Sequence, residues 1–205
     1  MKLFIVHHSI CLLKKTSQKN FIDKVNICKL SNEKCKDISF GSNKFIYYLA
    51  NNIDLIDDEF IGIADANWNS KFKNVCKIQY LNTIKFKNNT IYSPCISSTW
   101  YEDSIDTMSE TKKIMDDAMN VNSIFKKNNV SIMSNNFICH KDIMKKYAIW
   151  FKENFEVFFD KYQDLFDVSS KKKQAFFYER LTSIYFSNQN YEFKPIQNTS
   201  HCFKI

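Results

Sequence analysis

A short apolar run that ends in an acidic residue constrains the fold of this chain most. Phe60 to Ala64 (FIGIA) form the run, and Asp65 and Asn67 follow it one residue apart. A continuous apolar run of this length is typical of a strand that is buried on both faces of a sheet. Its abrupt end predicts that Asp65 and Asn67 present oxygen atoms at the mouth of that sheet.

The segments before this run predict a strand–helix–strand unit. Lys2 to His8 contain the apolar run LFIV and predict a first strand, and residues 43–52 have apolar side chains at helical spacing. This order is that of a βαβ unit, in which the two strands run parallel. Ligands of such sheets bind outside the carboxyl ends of the strands. Asp65 and Asn67 are expected at that edge. His7 and His8 are expected at the same edge if the first strand runs parallel to the strand of Phe60 to Ala64.

The rest of the chain adds strands early and helices late. Asp23 to Leu30 alternate apolar and polar residues and predict a second strand. Further predicted elements are a turn at Asn88-Asn89, a helix over Ser109 to Asn128, strands at Val130 to Met133 and Phe137 to Cys139, helices over Lys141 to Tyr162 and from Ser169 or Ser170 to Ser187, and an edge strand after Asn188. These predict a single α/β domain, residues 1–205, with a mixed sheet flanked by helices and a helical C-terminal part.

Composition narrows the classes of partner. The chain has 205 residues, 44% hydrophobic content and a net charge of +7, which suits a folded domain with acidic partners or a plain lysine-rich surface. Arg180 is the single arginine, which argues against a protein that reads nucleic-acid bases. Seven cysteines without CxxC spacing predict reduced thiols in the cytoplasm. No apolar run approaches the roughly 18 residues of a membrane span.

Five short motifs, in their order, resemble a known family. They are Tyr47-Tyr48 with Asn51-Asn52, then Phe60 to Ile63, Asn136-Phe137-Ile138, Tyr147 with Trp150, and Glu179-Arg180-Leu181. This order resembles the short bacterial glycosyltransferases of capsule and lipopolysaccharide loci, the DUF4422-type family. The resemblance covers residues 38–68 and 134–187.

The resemblance implies a GT-A-like, Rossmann-like fold that transfers a sugar from a nucleotide-sugar donor to a glycan or lipid-linked acceptor. It implies Mn²⁺ or Mg²⁺ at a D-x-D-like strand end. It also implies a role in surface polysaccharide synthesis. With the cytoplasmic location predicted from the cysteines and the lysines at 171–173, this role suggests peripheral contact with the anionic inner face of the membrane. Where the family has a His-Tyr-Arg-Arg run, residues 64–68 read ADANW. The alternative is therefore a catalytically degenerate relative that binds a glycan or a protein partner.

The acidic and basic candidates have defined chemical roles. Asp65 and Asn67 supply oxygen ligands for a hard cation and neutralise charge on a leaving diphosphate, or else they form a turn. Glu179 is a candidate general base, and Arg180 is a candidate phosphate clamp; the alternative is a structural Glu–Arg pair. Lys171 to Lys173 stand at a predicted helix start, either as a solvated face or as a membrane contact.

The remaining candidates are expected to contact the substrate. His7, His8 and His140 stand at predicted strand ends, where they contact the nucleotide or acceptor or are ordinary loop histidines. Gly41, Ser42 and Asn43, with Lys44 next to them, open a helix whose first amides can hold a phosphate, or they form a plain cap. Asn136 matches the third family motif and completes the set.

Overall fold

The structure is a computed structural model that describes residues 1–7, 22–26, 41–65, 84–93, 96–97, 131–132, 135–162, 181–183, 185–186 and 188–196. Its strands are β1 (Lys2–His7), β2 (Ile22–Asn26), β3 (Phe60–Asp65), β4 (Thr90–Ser93), β5 (Ile96–Ser97), β6 (Ser131–Ile132), β7 (Phe137–His140) and β8 (Glu192–Pro195). Its helices are α1 (Gly41–Asn52), a 3₁₀ turn at Ile53–Leu55, and α2 (Lys141–Tyr162). Residues 181–183 and 185–186 are also helical.

Six of the strands form one mixed sheet in the order β2-β1-β3-β7-β4-β8. β1 pairs in parallel with β2 and with β3, and β4 pairs in parallel with β8. β7 lies between β3 and β4 and is antiparallel to both. Five strands therefore run in one direction and β7 runs in the other, while β5 and β6 form a separate antiparallel pair.

The continuous apolar runs form the central strands because both of their faces are covered. In β3, Ile61 and Ile63 are at most 1% exposed, and their neighbours Phe60 and Ala64 are also buried. A strand with one wet face would instead alternate buried and exposed residues. The burial of both faces confirms the interpretation of FIGIA as an interior strand.

The two long helices lie side by side on one face of the sheet. α1 contacts β1 and β3, α2 contacts β3 and β7, and the helices contact each other. They run antiparallel, since Tyr47 of α1 meets Phe155 of α2 edge to face, while Lys145 near the start of α2 reaches Asp54 just beyond the end of α1. The apolar core between these helices and the sheet extends to Leu181, Tyr185 and Phe186.

Most predicted elements are observed with small shifts at their ends. α2 has the predicted bounds, and β8 is the predicted edge strand. α1 begins at Gly41, two residues before the predicted start, so Ser42 and Asn43 lie within its first turn instead of capping it. β2 is shorter than predicted and shifted by one residue at its start.

Some predictions fall beyond these ranges or stay open. The predicted helix over residues 109–128 and the lysines at 171–173 lie outside the described residues, and the single domain stays a prediction. Among the described helices, none has the length and apolar character to cross a membrane.

Candidate functional site

The carboxyl edge of the sheet, where β1, β3 and β4 end at His7, Asp65 and Ser93, is the candidate site. Val6 stands beside Asp65 in the parallel register of β1 and β3, so the backbones of His7 and Asp65 end at the same edge. Asn26, at the end of β2, pairs with His7. The sequence-based placement of His7 beside Asp65 depended on a first strand parallel to β3, and the observed pairing meets that condition for the backbone.

The strand order gives this edge a topological switch point. The chain passes from β1 to β2 on one side of β1 and then to β3 on its other side. Neighbouring connections diverge at such a point and leave a crevice outside the strand ends, and open α/β sheets bind their ligands there. Asp65 ends β3 beside this switch point.

The start of α1 lies at the same edge. Its C-terminal end leads through the 3₁₀ turn to the beginning of β3, so its first turn stands near the end of β3. Ser42 and Asn43 in that turn are 5% and 1% exposed, and Lys44 is half-buried. A helix start carries free backbone N–H groups and a partial positive charge, which favour anions.

Five buried polar side chains tie this helix start to the rest of the edge. We call them the Asn135 network: Ser42, Asn43, Asn135, Tyr147 and Thr182. Nδ2 of Asn135 donates to Oδ1 of Asn43 at 2.7 Å and lies 3.3 Å from Oγ of Ser42. Oγ1 of Thr182 donates to Oδ1 of Asn135 at 2.5 Å and contacts the Tyr147 hydroxyl at 2.5 Å.

The network lies at the carboxyl edge because Asn135 precedes β7 by two residues. The antiparallel register pairs Phe137, the first residue of β7, with Ile63 near the end of β3. Asn136 is also at this edge and is 1% exposed; its carbonyl oxygen accepts a hydrogen bond from Oγ of Ser93 at 2.6 Å. Asn136 therefore holds the start of β7 against the end of β4.

His140 lies at the opposite edge, which corrects its expected grouping with the other candidates. Since β7 is antiparallel to β3, its last residue, His140, pairs with Phe60 at the beginning of β3. Nδ1 of His140 accepts a hydrogen bond from the backbone N–H of Asp142 at 3.2 Å, and Nε2 lies 3.6 Å from Glu59. His140 thus caps the first turn of α2.

The groups with perturbed pKa values divide between the interior and the surface. Burial raises the pKa values of Cys139, Tyr147 and Tyr185, so these groups stay protonated at neutral pH. A hydrogen bond from Lys145 lowers the pKa of Asp54, and one from Thr90 lowers the pKa of Glu192. The two carboxylates stand beyond the end of α1 and at the start of β8, away from the carboxyl edge.

The predicted metal ligands are described only in part. The structure gives the backbone of Asp65, and Asn67 lies outside the described residues, as do His8, Glu179 and Arg180. Within the described part of the chain, no group of three or more His, Cys, Asp or Glu side chains comes together as a metal site. The chemistry of the Asp65 and Asn67 oxygens fits a hard cation, and the Mn²⁺ or Mg²⁺ site stays a prediction.

Sequence reasoning missed the roles of Asn135, Tyr147 and Thr182. Asn135 was visible only as part of a polar break before a strand, and it adopts a positive φ of 50°. In a chain with two glycines, an Asn at such a break is a signal for a left-handed residue. Nothing local marks its partners, because 92 residues separate Asn135 from Asn43 and 47 separate it from Thr182.

Together, these features define an α/β protein with a mixed sheet, a switch point between β1 and β3, and a helix start beside it. Comparisons of the chain with family models, with curated proteins and with solved structures find no match.

Proposed function

We propose that this chain is a glycosyltransferase that binds a nucleotide-sugar donor at the carboxyl edge and transfers its sugar to a glycan or lipid-linked acceptor. The observation that carries the proposal is the end of β3 at Asp65, on the border of the switch point between β1 and β3. The family resemblance supports a GT-A-like use of this edge, with the D-x-N pair in the position of a D-x-D-like motif.

The chain's own residues have separate tasks in this proposal. Asp65 and Asn67 hold Mn²⁺ or Mg²⁺, which supplies charge neutralisation for the leaving diphosphate. The start of α1, from Gly41 to Lys44, attracts the same diphosphate through its free N–H groups and partial positive charge. His7, the last residue of β1, and His8, the next residue in the chain, contact the nucleotide or acceptor.

Two residues of the predicted last helix complete the proposed chemistry. Arg180 clamps a phosphate, and Glu179 takes the proton of the acceptor hydroxyl. They stand directly before Leu181 and Thr182 in the chain, and Thr182 belongs to the Asn135 network. The reaction is expected at the cytoplasmic face of the membrane, where Lys171 to Lys173 favour contact with anionic lipid.

Calorimetry with a panel of nucleotide sugars and Mn²⁺, followed by a donor-turnover assay, tests the proposal. We expect at least one donor to bind. Asp65→Ala should lower turnover by about 10²–10³-fold, since a metal at a diphosphate supplies several kcal/mol of transition-state stabilisation. The matched control is Asp57→Ala, which removes an exposed carboxylate that precedes β3 at the opposite edge.

Each outcome bears on a separate part of the proposal. Full activity of the Asp65→Ala variant, or activity that persists after the metal is chelated, would contradict the metal role. The absence of binding by every donor would contradict the transferase and would favour the alternative, a degenerate relative that binds a glycan or protein partner.

A further inference from the structure

The Asn135 side chain makes use of nearly all of its hydrogen-bonding capacity. An Asn amide has two N–H donors and one oxygen acceptor. The two donors face Asn43 and Ser42, and the oxygen accepts from Thr182. Because the Thr182 hydroxyl donates its single proton to Asn135, the hydroxyl of Tyr147 is the donor in its contact with Thr182.

The backbone conformation at position 135 limits which amino acids fit there, as do the hydrogen bonds of the side chain. A φ of 50° is in the left-handed region, which glycine and asparagine adopt most readily. Glycine would satisfy the backbone without the amide. Aspartate would keep the shape of the side chain but would offer no donor to Asn43 or Ser42. Asparagine meets both requirements.

The Asn135 network joins four segments that are distant in sequence. Ser42 and Asn43 belong to α1, Asn135 precedes β7, Tyr147 belongs to α2, and Thr182 belongs to the late helical segment. Thr182 and Tyr147 are fully buried, and the other three are at most 5% exposed. A buried polar group that loses its partner is strongly destabilising, so the network favours one relative arrangement of these segments.

We propose that Asn135 is a positioning residue, which holds the first turn of α1 at the place where the donor diphosphate binds. This inference rests on the proposed function, because it assigns the ligand to that edge. The amide sets the position of the helix start relative to β7 and the late helix. A displacement of about 1 Å at such a site lowers reaction rates by as much as about 10²-fold.

Paired variants separate positioning from general stability. Thr182→Val replaces the side chain with one of nearly the same volume and removes the hydroxyl that donates to Asn135. Thr182→Ser keeps that hydroxyl. Ser183→Ala is the matched control, since Oγ of Ser183 bonds the carbonyl oxygen of Ile132 at 2.9 Å and stands outside the network. Asn135→Gly keeps the left-handed backbone and removes the amide.

The first readout is the affinity for UDP and for the nucleotide sugar that binds the wild-type protein most tightly. The kcat and KM of sugar transfer are measured with the same donor. Asn135→Gly and Thr182→Val should raise the dissociation constant about tenfold or more, and Thr182→Ser should restore it to within about twofold of wild type. Ser183→Ala should lower the melting temperature without changing the affinity. Equal affinities for wild type, Asn135→Gly and Thr182→Val would overturn the inference, as would an equal loss in Ser183→Ala.

The second readout does not require a ligand and keeps the two proposals distinguishable. Amide hydrogen exchange at Phe45 and Ile46 reports on the first turn of α1. It should rise about tenfold or more in Thr182→Val relative to amides in the middle of α2, and it should not rise in Ser183→Ala. If no nucleotide sugar binds the wild-type protein, the proposed function fails. Hydrogen exchange then remains as the test of whether Asn135 positions the first turn of α1. Unchanged exchange at Phe45 and Ile46 would then overturn the positioning role.

Discussion

Replacing Gly62 with alanine tests the packing of the central strands. Gly62 stands in the middle of β3, beside Leu3 of β1 and Ile138 of β7. A Cβ atom built at this position would lie 2.7 Å from Cγ1 of Ile138 and 2.8 Å from Cδ1 of Leu3. Within the described residues, no glycine has a positive φ. We therefore infer that space, and not backbone conformation, requires glycine here.

Two opposing effects determine how much Gly62→Ala changes the free energy of unfolding. Carbon atoms pack best at about 3.5–4.0 Å, so both contacts are repulsive. Leu3 can yield because its Cδ1 ends a flexible side chain, whereas Cγ1 of Ile138 moves only against a stiff χ1 angle or the backbone. Overpacking of this severity costs about 2–3 kcal/mol. Alanine recovers about 0.5–1 kcal/mol because glycine in a strand is entropically unfavourable.

The expected net result is a loss of about 1–2.5 kcal/mol in the free energy of unfolding. Urea unfolding followed by circular dichroism should show a lower midpoint with an unchanged slope. Thermal unfolding should show a melting temperature about 2–10 °C lower.

A double-mutant cycle with Ile138→Ala is the control. Ile138→Ala alone should cost about 2–5 kcal/mol, and the double variant should be about 1 kcal/mol more stable than the sum of the single effects, because the clashing atom is gone. A Gly62→Ala protein as stable as wild type, or a cycle without coupling, would refute the steric argument.

Two further predictions concern a buried phenol and a helix cap. Burial raises the pKa of Tyr147, so its stabilising contribution is complete below about pH 10, the ordinary pKa of tyrosine, and is lost as the pH rises toward the folded-state value. Above about pH 10, Tyr147→Phe should reduce the alkaline loss of stability by as much as about 1.4 kcal/mol per pH unit. Tyr185 and Cys139 add slopes of the same sign in both proteins. Urea unfolding of both proteins between pH 8 and 11 measures the difference, and equal slopes above about pH 10 would contradict the prediction. His140→Ala should lower the free energy of unfolding by about 0.5–2 kcal/mol through loss of the cap, and His140→Asn should restore it. Nucleotide-sugar affinity should stay constant in both His140 variants, so a loss of affinity measured by calorimetry would contradict the position of His140 away from the site.

The sequence by itself determined the type and approximate bounds of the main described elements. The apolar run at Phe60 to Ala64 specified an interior strand because continuous hydrophobicity needs cover on both faces. The helical spacing of apolar residues specified α2 from Lys141 to Tyr162. The order strand, helix, strand also placed Asp65 at the carboxyl edge. The position of His7 at the same edge depended on a first strand parallel to β3, which the structure shows.

Only the tertiary structure decided the direction of β7 and the partners of Asn135. A strand of four residues has the same apolar pattern in either direction, so its sequence could not show that His140 would stand opposite the carboxyl edge. The bonds from Asn135 to Asn43 and Thr182 close long loops of chain, and no local propensity encodes such contacts. Periodicity reports the environment of each residue along its own element, whereas strand direction and buried polar pairing arise when distant segments pack together.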